Sequence, residues 1–175
     1  MTEPTHESPV PGHDDQAATQ AAGFTLRAAR ADEADAIADV YWRSRTQQLD
    51  VAPLPHSRGD IDAWIRDLLL PSGEIVVAVV DDRVVGLNAT SHAYGVMWVD
   101  QLYVDPRETG RGVGSALLQD TLARARTVGM PVQLYTFSRN TAARAFYERH
   151  GFVIVSKQND AENEEGVPDM LYRRP

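Results

Sequence analysis

The chain has no cysteine. It can form no disulfide, present no thiolate nucleophile and hold no metal on sulfur. It has no apolar run of membrane-spanning length and no basic-then-apolar leader pattern, so no membrane association and a cytoplasmic location are expected. Basic side chains are in the minority, 17 Lys and Arg against 25 Asp and Glu, for a formal charge of −8. A general nucleic-acid binder needs a basic face to displace counterions, which argues against that class. An acidic balance suits a cationic small-molecule partner, and it is also an ordinary solubility feature. Residues 1–22, "MTEPTHESPVPGHDDQAATQAA", contain no Lys or Arg and almost nothing to bury. They are expected to form a disordered tail. His6 and His13 match no ligand spacing, so no metal site is expected.

Within 175 residues, 43% are apolar and 24% charged. That is the composition of a soluble globule, and residues 23–175 are long enough for one domain with its own core. From Phe24 onward the hydrophobic period changes repeatedly. "FTLRAAR" reads as a strand. "DEADAIADVYWRSRTQQL" reads as a helix with Ala34, Ile37, Tyr41 and Ser44 on one face and a cap near Arg30, a poor capping residue. "SRGDIDAWIRDLLL" is a second helix, with Ile61, Trp64, Ile65 and Leu68 inward and a capping box from Ser57 and Asp60. Three strands follow, with turns at Asp81-Asp82 and near Tyr94-Gly95. The last of them is "VMWVDQLYV", the fourth strand of the chain. A helix from about Ser115 then places Leu118, Leu122 and Ala125 inward. "VQLYTF", the helix "NTAARAFYERH" and two final strands complete the chain. The order β-α-α-β-β-β-α-β-α-β-β predicts an α/β (α+β) fold with a mixed, mostly antiparallel sheet of about seven strands and about four helices. The β-α-β step through residues 99–137 requires a parallel neighbour.

The most informative stretch is "LYVDPRETGRGVGSALL", residues 102–118. Glycines at 110, 112 and 114 separate a strand from a helix. Such a turn bares amides at a helix N-terminus, where an anion is favoured. A P-loop needs Lys and then Ser or Thr after its last glycine, but Gly114 is followed by Ser115 and Ala116. A G-x-G-x-x-G fingerprint fails from Gly110, which reaches Ser115, and from Gly112, which reaches Leu117. A tight turn that merely needs small residues is the plain alternative, and a pyrophosphate cradle is the remaining one.

Together with "NTAARAFYERHGF" one helix and one strand later, this segment resembles the GNAT superfamily of acyl-CoA-dependent N-acetyltransferases, from about Phe24 to Tyr172. The family pattern Gln/Arg-x-x-Gly-x-Gly/Ala is met by Gly110, Arg111, Gly112, Val113 and Gly114, with Thr109 standing where the family carries a longer polar residue. The resemblance implies a sheet splayed between its fourth and fifth strands, with acetyl-CoA as cosubstrate. It places the pyrophosphate over the amides of Gly110, Arg111, Gly112, Val113, Gly114 and Ser115. The pantetheine arm would lie along the main chain of Leu102, Tyr103 and Val104. Asn140 would contact that arm, cap a helix, or do both. Tyr147 would be the general acid for the leaving thiolate, or a core residue beside Phe146 and Phe152. Arg144 would meet a cofactor phosphate, or solvent.

An alkylammonium must lose a proton before it attacks. Asp100 is the first candidate base, with an ion-pair role as the alternative, and His92 is the second. The acidic loop "NDAENEEGVPDMLY", with Asp160, Glu162, Glu164, Glu165 and Asp169, is either a seat for a cationic amine or a solvated loop. Tyr41, Trp42 and Trp64 are either pocket lining or core. The expected function is therefore transfer of acetyl from acetyl-CoA to a primary amine, of a small cationic molecule, in a ternary complex. A peptide N-terminal acetyltransferase is the alternative enzyme. A non-catalytic acyl-CoA sensor and a nucleotide-binding protein are the alternatives from other classes. A homodimer is compatible with the family.

Overall fold

The computed structural model describes residues 19–21, 23–159 and 163–175. Eight strands form one open mixed sheet: β1 (Thr19–Ala21), β2 (Phe24–Ala28), β3 (Ile75–Val80), β4 (Arg83–Ala93), β5 (Val96–Val104), β6 (Val132–Phe137), β7 (Val153–Gln158) and β8 (Asp169–Arg174), in the order β1-β2-β3-β4-β5-β6-β8-β7. The seven expected strands are β2 to β8. Strand β1 is additional and corrects the expectation that residues 1–22 lie wholly outside the fold. It folds back antiparallel on β2, with Ala21 opposite Phe24, because the β2 edge still offers unpaired backbone groups there. Residues 1–18 and 22 lie outside the described residues.

Strands β1 to β5 are successive antiparallel neighbours. The β3–β4 turn places Asp81 and Asp82 at φ of 46° and 60°, the left-handed pair that matches strand twist in a tight hairpin. Strand β5 is parallel to β6 and pairs with it only at Met97–Val132 and Trp98–Gln133. Beyond those pairs β5 stays with β4 while β6 stays with β8, so the sheet opens into the expected splay.

Four α-helices flank the sheet: α1 (Ala34–Gln47), α2 (Arg58–Trp64), α3 (Val113–Val128) and α4 (Thr141–Arg149). Ile37 and Val40 of α1 and Ile61 of α2 pack with Val77 and Leu87 of the sheet. On the other face, Val113 and Leu117 of α3 pack with Ala78 and Val85. A third cluster joins Leu118 and Leu122 to Leu134, Tyr147 and Tyr172.

Two helix details differ from the sequence reading. Helix α1 begins at Ala34 and not near Arg30, because Glu33 accepts the Arg30 N–H at 2.8 Å and pairs with the Arg27 guanidinium. Leu68, expected on the inner face of the second helix, is 67% exposed. Past Trp64 the chain widens into a π-helical turn over Ile65–Leu69, and the wider turn rotates Leu68 off the apolar stripe. The Ser57–Asp60 capping box is present in both directions.

Candidate active site

The β5–α3 connection is built around backbone that only small residues tolerate. Gly110 and Gly112 lie at φ of 77° and 84°, and a Cβ built on either meets nothing within 4 Å. A side chain there would therefore project into open space over the turn. Gly112 is the N-cap of α3 and contributes no capping side chain. Thr109 and Gly110 form a hydrogen-bonded turn, and among the described residues the amides of 112–115 donate to no protein acceptor; the first intrahelical bond here runs from Ala116 N–H to Gly112 O at 2.9 Å. These bare donors at the positive end of a 16-residue helix fit a diphosphate, each such contact contributing about 0.3–1 kcal/mol when exposed.

The turn is fixed from below. Asp105 is fully buried and accepts from Arg107 Nε at 3.0 Å and Arg43 Nε at 3.0 Å. The Arg107 guanidinium, and then the Arg107 amide and Arg43, hold its carboxyl well below the usual carboxylate range, against the desolvation that opposes them. Thr109, where the family carries a longer side chain, closes the 3-10 turn by donating to Pro106 O at 2.8 Å. Gly114 sits against Val104 and Phe146, 3.5 Å and 3.7 Å from where a Cβ would be.

The splay opens into a cavity of about 680 Å³. Leu102 and Tyr103 of β5, Asn140, Ala143 and Tyr147 all line it. Asn140 caps α4, accepting the Ala143 N–H at 3.1 Å, so the cap and the cavity wall are one residue. Tyr147 is 8% exposed, and burial pushes its phenol well above the ordinary tyrosine value. A protonated phenol that makes no hydrogen bond among the described residues is available to a group in the cavity. Tyr41 and Tyr103 meet edge-on at 4.8 Å, and Trp64 joins Tyr41 at 5.8 Å, forming an aromatic wall.

Strand β5 carries a bulge here. Ala89 faces Gln101 and Thr90 faces Val99, which leaves Asp100 as the extra residue. Asp100 lines the cavity but is largely open to solvent. Desolvation raises its carboxyl, a hydrogen bond from Ser91 opposes the rise, and the exposure keeps the effect modest.

Part of the cavity wall is acidic. Asp60, Glu164, Glu165 and Asp169 line it with His56, and among the described residues no Lys or Arg does. Glu165 pairs with Arg45 of α1 at 3.2 Å, and Glu164 with His56 at 2.8 Å. These two contacts tie the turn before β8 to the opposite wall. Asp160 and Glu162 lie outside the described residues.

Some expected residues fall elsewhere. His92 is exposed on β4, opposite Met97, and is not part of the cavity wall. The hairpin carries it away from the splay, towards the closed end where β5 and β6 still pair. Arg144 is committed within the fold, donating to Tyr172 Oη at 3.3 Å and Ser138 O at 3.2 Å. Trp42 packs against the α1 core cluster and does not line the cavity. Conversely, Gln101, Tyr135, Phe137 and Asn163 line it without having been singled out. Tyr135 stacks on Trp98 across the gap at 5.8 Å, just past the last parallel pair. Tyr135 and Phe137 reach the cavity through β6, Gln101 through β5 and Asn163 through the segment before β8, a convergence that no spacing rule reports.

Comparison with known proteins agrees with this geometry. Residues 34–152 match the model of the acetyltransferase (GNAT) family. The chain is 32% identical over 89 residues to the uncharacterized N-acetyltransferase YafP of Escherichia coli, covering 51% of this chain and about half (52%) of that protein. It is 26% identical over 135 residues to the peptidyl-lysine N-acetyltransferase YjaB of Salmonella typhimurium, covering 77% and 86% of the two chains. The PaiA N-acetyltransferase of Thermoplasma acidophilum in complex with coenzyme A shares the fold at a TM-score of 0.67 and 18% identity, over 86% of this chain and 98% of that one. A bare amide cradle, a splayed parallel pair and a matching family model together place the chain in the GNAT family, as an acetyltransferase that uses acetyl-CoA.

Proposed function

We propose that this acetyltransferase acts on the primary amine of a small cationic molecule, by direct attack in a ternary complex. The observation that supports the reading is the acidic part of the cavity wall. Arg45–Glu165 and His56–Glu164 tie the turn before β8 to α1 and to the segment before α2, contacts that narrow the room for an extended peptide. The carboxylates of that wall attract a cation.

When bound, acetyl-CoA supplies an acetyl group activated as a thioester. The amides of residues 110–115 hold its pyrophosphate. Main-chain groups of Leu102, Tyr103 and Val104, left without a β6 partner by the splay, would pair with the pantetheine arm, and one such amide would polarise the thioester carbonyl. Asn140, which caps α4 and lines the cavity, would contact the arm. Tyr147, a neutral phenol in the cavity wall, would give its proton to the departing sulfur.

A thiol-release assay with acetyl-CoA against a panel of small amines and of peptides tests the reading. Turnover of small diamines or cationic amines above peptides is expected. Turnover confined to peptides would transfer the assignment to the peptide class of which the Salmonella relative is named a member. Coenzyme A binding without turnover of anything would make the chain a sensor.

A further inference from the structure

Among the described residues, few buried side-chain polar atoms lack a hydrogen-bond partner: Nε and Nη1 of Arg45, Oε2 of Glu74, Oδ1 of Asn88 and Oδ1 of Asp169. Of these four residues only Asp169 lines the cavity. It opens β8 opposite Phe137, the last residue of β6, and so sits beside the mouth of the splay. Asp169 is 8% exposed. Its Oδ2 accepts from Asn163 Nδ2 at 3.0 Å, and the same nitrogen donates to Val167 O at 2.8 Å. Both protons of that amide are therefore spent, and none remains for Oδ1.

The other acids of the cavity are already engaged or wet. Glu165 has Arg45, Glu164 has His56, and Asp60 accepts from both the Ser57 amide and hydroxyl. Asp100 is open to water. A buried carboxylate oxygen on a residue of the cavity wall, with no donor among the described residues, is incomplete until a ligand brings one. A cation is the donor that a carboxylate favours most.

We propose that Asp169 seats the reacting ammonium of the acceptor and takes the proton that must leave before attack. This rests on the acetyl-transfer reading above. Oδ1 accepts an N–H of the ammonium and then the proton itself. The freed nitrogen lone pair forms the C–N bond to the acetyl carbon as the C–S bond breaks. Asp169 passes its proton to water, and the second proton shed by nitrogen replaces the one that Tyr147 gives to sulfur. Asn163 is a positioning residue, holding the carboxylate still through Oδ2.

Two measurements test the seat. Calorimetric titration of the coenzyme A-saturated protein with diaminobutane reads binding without turnover. Thiol release from acetyl-CoA with diaminobutane and with methoxyamine, which is uncharged at neutral pH, reads the proton transfer. Asp169→Asn is expected to weaken diaminobutane binding about 30-fold or more. Its kcat/KM for diaminobutane should fall about 100-fold, while the KM for acetyl-CoA, the thermal midpoint and methoxyamine turnover hold within about threefold. Asp169→Glu should recover part of the loss. Wild-type binding and turnover of diaminobutane in Asp169→Asn would overturn the seat, as would equal loss of both amines. A wild-type protein inert to both amines would overturn the small-amine reading and the seat with it; activity untouched by the substitution overturns the seat alone. Asp169→Ser is read by the same criteria, so a poorly folding Asn variant leaves the question decidable.

Discussion

Nη2 of Arg45, in α1, lies 3.2 Å from Oε1 of Glu165, in the turn before β8, across 120 residues of chain. The Arg45 side chain is 1% exposed, its guanidinium rests 5.6 Å from the Phe137 ring centre, and its other bond runs to Pro53 O. Glu165→Ala leaves a buried cation with one carbonyl for company. It is expected to cost about 3 kcal/mol, at the low end for a broken buried pair because Glu165 itself is partly wet. Glu165→Gln keeps an acceptor and should cost less. Urea midpoints of the two variants check the order, and equal midpoints would remove the pair from the stability argument.

Gly112→Val should abolish stabilisation by coenzyme A. The residue sits at φ 84° with open space where its Cβ would project, so valine costs backbone strain of about 1–3 kcal/mol and also blocks the amide face. A thermal shift with and without coenzyme A separates the two effects. A retained shift would show that the diphosphate lies elsewhere.

Gly86→Ala acts by a different route. A Cβ there stands 2.9 Å from Val113 Cγ1, 3.1 Å from Leu117 Cδ1 and 3.3 Å from Tyr103 O. The added methyl pushes α3 away from β4 at the helix start that carries the cradle. A loss of about 1–3 kcal/mol is expected, accompanied by weaker coenzyme A binding. Stability unchanged by this substitution would contradict the close packing of α3 on the sheet.

Tyr147→Phe removes a hydroxyl and leaves the aromatic packing with Phe146 and Phe152 in place. The expected result is a kcat about 100-fold lower with the KM for acetyl-CoA unchanged. A kcat within threefold of wild type assigns the residue to the core alone.

The His56–Glu164 contact should respond to pH. The Glu164 carboxylate raises the imidazole pKa in the folded state. A raised folded pKa means that the contact contributes fully below the unfolded value of about 6.5 and is lost as pH rises through the folded one. Hydrogen exchange in the 163–167 turn, corrected for intrinsic rates, should therefore speed up on the alkaline side. His56→Ala should flatten that response. Both groups are exposed, so global stability should barely move.

Much of the frame was readable because it rests on local chemistry. The Ser57–Asp60 box, the Asp81-Asp82 hairpin and the inward face of Ala34, Ile37, Tyr41 and Ser44 all follow from neighbours a few residues apart. The start of α1 was misread because its anchor is a pair between Glu33 and Arg27, on the preceding strand. Leu68 was misread because a π turn changes the period midway along a continuous apolar pattern. That Asp100 is the extra residue of a bulge in β5 is set by the pairing with β4, which no local pattern along β5 reports.

The run of glycines before an amphipathic segment was enough to point to a left-handed turn into a helix, since left-handed backbone and small volume are properties of the residue. The acceptor end could not be established that way. Arg45, His56, Glu165 and Asp169 come from three distant segments, and only the pairing of β6 with β8 and the two cross-chain pairs bring them together around the cavity. Whether a carboxylate is solvated, paired or left buried with one oxygen unspent depends on what surrounds it in space, and that is decided by the tertiary fold.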